Sequence, residues 1–258
     1  NCKTLFIVEE NIDLGKAYLN SFDPNSLSKL KFNKIKNKNR YFFKLFSIYN
    51  INGPLLEIGP GNGYFLSILK ENNFIVDVVE QNVSLCNFYE NALGIDKNNI
   101  FCIDFNKFNS DNKYKAIFAW QVIEHLVDID NWLNKMNNIL DEDGYLFLST
   151  PNIKSFQFKI MQKYWPHLDA PRHQTIFNTQ SLNDKLIKHN FKLVKVKWGV
   201  DSILWNRFGW INFFKNFFNF KNNYLPKILG YLFFFIFMPI ELFPGLSSSF
   251  IAVYKKNG

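Results

Sequence analysis

The segment LLEIGPGNGYFL, Leu55 to Leu66, carries the densest chemical signal in the chain. Gly59, Gly61 and Gly63 alternate behind a short apolar run that contains one acid, Glu57. Glycines between a strand and a helix let the backbone turn tightly and come close to a ligand. Their GxGxG spacing is one residue tighter than the GxGxxG of dinucleotide binders. Glu80 closes a second apolar run, FIVDVVE, 17 residues after Gly63. A carboxylate there can accept hydrogen bonds from ribose hydroxyls. Any αβ crossing can require a glycine-rich turn, so the loop alone is weak evidence, and the acids on either side sharpen it.

Candidate proton carriers are few, because the chain has only four histidines. His125 follows Glu124 just beyond the run YKAIFAW, and His167, Asp169 and His173 follow a later strand candidate. Loops after parallel strands open onto the same edge of a sheet, so these residues are candidates to face one cleft. His125, His173 and Glu124 are the candidates for acid–base work, against a structural hydrogen bond in the local turn. His167, Asp169 and Arg172 are candidates for contact with an acceptor, Arg172 through an anionic group. His189, at a helix end, reads as a capping or surface residue.

These residues need a frame, and the text between them supplies one. Strand candidates at Gly53–Gly59, Phe74–Glu80, Asn99–Phe105, Tyr114–Trp120 and Asp143–Thr150 alternate with helical segments at Gly63–Asn73, Ser84–Leu93 and Asp128–Leu140. Asp128 is the expected N-cap of the last of these. This cadence gives βαβ units and a parallel sheet covered on both faces. A helix near Gln180–His189, a strand at Phe191–Trp198 and a last strand at Ser247–Lys256 follow.

In this order the motifs resemble the class I S-adenosylmethionine (SAM)-dependent methyltransferases, from about Gly53 to Phe191 and again in the last strand. LLEIGPGNGYFL looks like their first motif and Glu80, with Gln81 beside it, like their ribose-binding acid. Asp104, in CIDF, looks like the residue that contacts the adenine amino group, with Phe105 beside the ring. AIFAWQVIEHL, Ala116 to Leu126, resembles the segment under the methionine part of the cofactor, which includes Gln121. ILDEDGYLFLSTPN resembles the fifth-strand signature, although GG is more usual than Asp143-Gly144. LDAPRHQTIFNTQSL resembles a segment of bacterial methyltransferases often found among glycan-biosynthesis enzymes. The resemblance implies a Rossmann-like, doubly wound seven-stranded sheet, mostly parallel with an antiparallel last strand. It implies SAM as cofactor, S-adenosylhomocysteine as product, and displacement at the sulfonium methyl by a positioned nucleophile. QVIEH is similar to the ExxEH cluster that holds Mg2+ in ubiquinone-pathway and small-RNA 2′-O-methyltransferases. Gln121 replaces the first carboxylate, which weakens a site for a hard cation, so no metal is expected.

The formal net charge of +8 is uneven: +5 over residues 1–50, −8 over 51–153 and +11 over 154–258. Basic arms suit phosphate-bearing substrates, an anionic membrane surface or nucleic acid, against the plain reading of a solvated lysine-rich surface. Three cysteines without a CxxC pair argue against a disulfide framework and for a cytoplasmic setting. The start at Asn1 leaves the N-terminus read as incomplete. Three parts are expected: a helical arm over 1–50, with a basic helix from Leu30 to Tyr49; the cofactor domain over 51–200 and 247–258; and an insertion over 201–246. Within the insertion, Trp210, Phe213, Phe214, Phe217 and Phe218 form a helical stripe. The apolar run Ile228–Phe243 is broken by Pro239 and Glu241, short of the ~20 residues that span a bilayer. A lid, a homodimer face or a peripheral membrane element each accounts for it.

The function expected is methyl transfer, with O-methylation favoured, to a small molecule, a sugar or a lipid-linked glycan. A silent SAM-binding or membrane-associated protein and an RNA methyltransferase are the alternatives, though no RNA-binding module is recognisable. GxGxG spacing and the later motifs argue against an NAD(P)-dependent oxidoreductase.

Overall fold

The computed structural model describes residues 4–6, 28–199, 202–222 and 224–257. Its centre is a seven-stranded sheet built from β2 (Leu55–Ile58), β3 (Val76–Val79), β4 (Ile100–Phe101), β5 (Tyr114–Trp120), β6 (Leu140–Pro151), β8 (Phe191–Trp198) and β9 (Ser249–Lys256). The order across it is β4-β3-β2-β5-β6-β9-β8. The first five strands run parallel, and β9 lies antiparallel between β6 and β8, with Phe147 opposite Val253. This is the Rossmann-like arrangement expected. Two further short strands, β1 (Leu5–Phe6) and β7 (Thr175–Ile176), pair antiparallel outside the main sheet.

Alternation along the strands sorts the core into two layers, because successive side chains of a strand point to opposite faces. Leu56, Ile58, Ile117, Leu146 and Leu148 face α5 (Ile129–Ile139) and α7 (Thr179–Ile187). Leu55, Ala116, Phe118, Phe147 and Val253 face α2 (Arg40–Ser47), α3 (Tyr64–Glu71) and α4 (Val83–Asn91). Asp128 caps α5 as expected, accepting from the Asn131 N–H at 3.1 Å. The edge strand β8 keeps Lys192, Lys195 and Lys197 exposed, charges that discourage edge-to-edge pairing.

A third apolar cluster lies outside the sheet. Met161, at the end of α6 (Phe156–Met161), and Trp165 pack with Trp210 and Phe214 of α8 (Ser202–Phe217) and, through Phe233 and Phe237, with α9 (Tyr224–Phe237). The α8–α9 hairpin occupies the expected insertion between β8 and β9. Its root is fixed by Glu241, 1% exposed, which accepts from Asn206 Nδ2 at 2.6 Å, the Ser248 N–H at 2.7 Å and Ser248 Oγ at 2.8 Å.

Several expectations are corrected. The basic helix is two helices, α1 (Lys29–Lys38) and α2, separated at Asn39, whose side chain turns back to the Ile35 carbonyl at 2.9 Å. Strand three is short. Asp104 does not close it but caps the turn Phe105–Lys107, accepting from the Asn106 N–H at 2.7 Å. The expectation against disulfides is overturned, since Cys86 of α4 is bonded to Cys102 just past β4. These cysteines are 16 residues apart and meet only because β3 and β4 are neighbours. Cys2 lies outside the described residues.

Candidate functional site

The candidate cofactor half of the site is the carboxyl edge of β2 and β3. Gly59, Gly61 and Gly63 take φ of +60°, +56° and +69°, the left-handed region that side chains resist. A Cβ on Gly63 would meet Leu93 Cδ1 at 2.7 Å and Tyr89 Cε1 at 3.3 Å, so crowding from α4 and the turn after it adds to the strain of any substitution. Glu80 leaves β3 beside this loop. Its Oε1 accepts from the Asn82 N–H at 2.9 Å, and burial raises its pKa against those hydrogen bonds. Tyr89, which sequence reading missed, donates to the Gly61 carbonyl at 2.6 Å, with its hydroxyl 3.5 Å from Glu80 Oε2. One helical turn of α4 thus ties Glu80 to the glycine loop, and nothing in the local sequence marks Tyr89 for that role.

Glu57 lies beneath the loop, 1% exposed. Burial pushes its pKa up to about 8, and its Oε2 has no hydrogen-bond partner among the described residues. A buried carboxyl oxygen without a donor is costly unless a ligand supplies one. A nucleoside cofactor with an ammonium group fits this edge: glycines for close approach, Glu80 for ribose hydroxyls, and Glu57 for a cationic donor. The Phe105 ring is buried against Trp132 at 5.2 Å and Phe108 at 6.1 Å. Asp104 stays at the edge, at the mouth of its turn.

The candidate acceptor half begins where β5 ends. Gln121, at φ +56°, donates through Nε2 to Ser149 Oγ at 3.1 Å, which holds the turn after β5 against β6. Val122 touches the glycine loop, since a Cβ on Gly59 would lie 3.2 Å from Val122 Cγ2. The next turn, Ile123–His125, is tied to the loop after β6, where the Gln174 N–H donates to the Glu124 carbonyl at 2.7 Å. The loop thereby brings His173 to His125, with ring centroids 4.6 Å apart.

Both imidazoles are oriented by carbonyls. His125 Nδ1 lies 3.0 Å from the Arg172 carbonyl, and His173 Nδ1 lies 2.7 Å from the His167 carbonyl. A carbonyl only accepts, so each Nδ1 carries the hydrogen and each Nε2 is the basic nitrogen. Burial drives the pKa of His125 and of His173 down to about 4, and each lies beside another histidine that adds to the shift. His167, against Trp165 at 5.0 Å, is lowered to about 4 by burial. Asp169 and Arg172 pair with each other, and Asp169 Oδ2 is 4.0 Å from His173 Nε2. An acceptor anion would compete with Asp169 for Arg172. His189 stays apart, bonded to Asp130 at 2.7 Å and Asn134 at 2.8 Å, as its structural reading anticipates.

Glu124, fully buried, joins His125 and His173 in a group whose ligand atoms lie within 4.8 Å of one another. Sequence reading weighed a cation through the QVIEH cluster, where Gln121 replaces the first carboxylate. The fold turns Gln121 to Ser149 and supplies a second imidazole from a distant loop instead. Such a donor set suits a borderline transition metal better than Mg2+.

Residues 32–196 match the family model described as a methyltransferase domain. The chain is 27% identical over 196 residues to the ubiquinone biosynthesis O-methyltransferase of Pelagibacter ubique, covering 69% of this chain and 76% of that protein. It superposes on a putative sarcosine dimethylglycine methyltransferase from Galdieria sulphuraria with a TM-score of 0.60, at 12% identity and 91% coverage of both chains. The Burkholderia thailandensis 1,6-didemethyltoxoflavin-N1-methyltransferase, solved with S-adenosylhomocysteine and its acceptor, superposes with a TM-score of 0.58 at 10% identity, covering 99% of this chain and 95% of that one. The family model spans both the glycine loop with its two acids and the paired histidines, and the chain belongs to the methyltransferase domain family as a class I enzyme with S-adenosylmethionine as its cofactor.

Proposed function

We propose that the chain methylates a hydroxyl group of a small organic acceptor, with sugars and lipid-linked glycans as the classes to screen. The observation that carries this reading is the His125–His173 pair. Two imidazoles with pKa values of about 4 stay unprotonated at neutral pH, with the basic Nε2 nitrogens defined by the carbonyls that hold Nδ1. An amine acceptor can enter already deprotonated, whereas a hydroxyl nucleophile must lose a proton as it attacks, and a positioned base then matters.

The cofactor, when bound, supplies an electrophilic methyl group. Glu80 and the glycine loop would hold its nucleoside part and Glu57 its ammonium end, while the turn after β5 lines the side from which an acceptor approaches. Orientation supplies much of the rate in such a site. The acceptor proton passes to a histidine Nε2, and Asp169, 4.0 Å from His173 Nε2, stabilises the imidazolium formed there. The 27% identical relative is named an O-methyltransferase, which supports the same direction. The RNA alternative loses part of its support, because Lys36 and Arg40 of the basic arm both pair with Glu71.

The test is transfer of isotopically labelled methyl from S-adenosylmethionine to panels of hydroxyl and amine acceptors. Label found in hydroxyl products, and reduced by about 10²–10⁴-fold in His173→Asn with homocysteine-product binding intact, supports the reading. Label found only on amines would overturn it.

A further inference from the structure

The α8–α9 hairpin lies outside residues 32–196, the part matched by the family model, and it is built unlike the rest of the surface. One face of α9 packs on α8, with Phe233 5.3 Å from Trp210 and 4.7 Å from Phe214. The crossing is close, because a Cβ on Gly230 would meet the Ile211 backbone at 2.8 Å. The opposite face is equally apolar and is exposed among the described residues. Leu225, Ile228, Tyr231, Leu232, Phe235 and Ile236 recur at helical spacing and are between 41% and 66% exposed. Leu242 and Phe243 extend the same character past the helix, each 57% exposed. A contiguous apolar surface of this kind on a soluble fold marks an interaction site.

Charge selects the partner. The hairpin carries Arg207, Lys215, Lys221 and Lys227, and its one carboxylate, Glu241, is buried at the root. Its solvent-facing charge among the described residues is therefore entirely positive. Arg207 lies over the rings of Phe208 and Tyr231, at 4.6 Å and 5.4 Å, so cation and aromatic surface are presented together. The segment Lys154–Leu168, which packs on the hairpin through Phe156–Phe237 and Tyr164–Phe213 contacts, adds Lys154, Lys159 and Lys163 without a single acid. Aromatic and aliphatic residues beside unbalanced cations match the boundary between acyl chains and anionic headgroups.

Topology sets the depth. Residues Tyr224–Leu242 are long and apolar enough to cross a bilayer by composition alone, yet only 17% of that stretch is buried in the fold. Both ends of the hairpin return to one sheet, through β8 and β9, and Glu241 locks the root to Asn206 and Ser248. A single crossing by α9 would leave β9 on the wrong side. We propose that the α8–α9 hairpin is an in-plane anchor that docks the enzyme on an anionic lipid bilayer, with the exposed face of α9 in the acyl–headgroup boundary. The docking surface is independent of which acceptor is methylated.

The test is cosedimentation of the full chain with phosphatidylcholine vesicles, with and without phosphatidylglycerol, at low and high salt. S-adenosylhomocysteine binding, measured in parallel, reports the fold. Expected is binding to the anionic vesicles that weakens with salt, falls by tenfold or more in L232E/F235E, and drops roughly fivefold in Lys227→Glu. Both variants retain homocysteine-product binding, since neither position touches the cofactor edge. Three results would overturn the proposal: a folded chain left in the supernatant at low salt, equal binding to neutral and anionic vesicles, or no vesicle binding together with a dimer that the double variant disperses. The last would assign the face to a second copy of the chain.

Discussion

His125 and His173 are 48 positions apart in the chain, and their rings lie 4.6 Å apart because the Gln174 N–H is bonded to the Glu124 carbonyl. With His167 they form a group of three imidazoles that folding keeps neutral, each with a pKa near 4 against an ordinary value of 6.5. The unfolded chain protonates these groups below about pH 6.5 and the folded chain does not until about pH 4, so stability falls as pH drops through that window. Glu57 acts in the opposite sense, because its raised pKa makes the folded state bind one proton more between about 4.5 and 8. Near pH 5 the net difference is about two protons, a slope on the order of 3 kcal/mol per pH unit. Urea titrations at pH 7 and pH 5 should show the loss, and His125→Asn/His173→Asn should flatten it. A pH-independent midpoint would contradict the burial of these rings.

Cofactor binding should release a proton. Glu57, with a pKa of about 8, is largely protonated at neutral pH, and an ammonium placed against its carboxyl favours the charged form. Titration with S-adenosylhomocysteine in buffers of different ionisation enthalpy should report up to about one proton released near pH 7. Glu57→Gln should abolish the release. If the release persists in that variant, another group responds to the ligand.

Loss of Glu80 should be costly if it holds the ribose hydroxyls. Glu80→Ala removes a charged hydrogen-bond acceptor worth about 1.5–3 kcal/mol, or roughly 10–150-fold in cofactor affinity. Tyr89→Phe removes the bond to the Gly61 carbonyl and should weaken binding by about threefold to tenfold without unfolding the protein. Calorimetry with the homocysteine product reads both. Wild-type affinity in Glu80→Ala would remove Glu80 from the cofactor site.

The hairpin should depend on its buried root. Glu241→Ala strands the Ser248 N–H, the Ser248 hydroxyl and the Asn206 amide, each costing about 1–3 kcal/mol if left unsatisfied. The expected result is a thermal midpoint lower by at least about 5 °C. An unchanged midpoint would mean that water enters and satisfies those groups.

Chelation tests the Glu124–His125–His173 group. Methyl transfer that is unchanged by a chelator fits a histidine base acting alone. A loss restored by zinc or manganese, but not by magnesium, would make the trio a metal centre.

The sequence by itself determined the sheet and the glycine loop at its edge. Runs such as LLEIG and FIVDVVE are short and largely apolar beside turn residues, which marks them as strands, and glycines at Gly59, Gly61 and Gly63 with acids at Glu57 and Glu80 mark an edge where a nucleoside can sit. Those signals are local, because strand period, turn chemistry and an acid at a strand end all lie within a few residues of one another. Other features required distance in sequence to become closeness in space. Tyr89 reaches Gly61 across 28 residues, Cys86 meets Cys102 only through the pairing of β3 with β4, and Phe105 turns into the core because Trp132 stands behind it. The aromatic stripe of α8 was legible as a stripe, but its partner was not. Only the packing of Phe233 and Phe237 on Trp210 decided that one face of α9 is spent inside the fold while the other is left to meet a partner. Periodicity records that a helix has an apolar face, whereas tertiary contacts decide which apolar atoms have already lost their water.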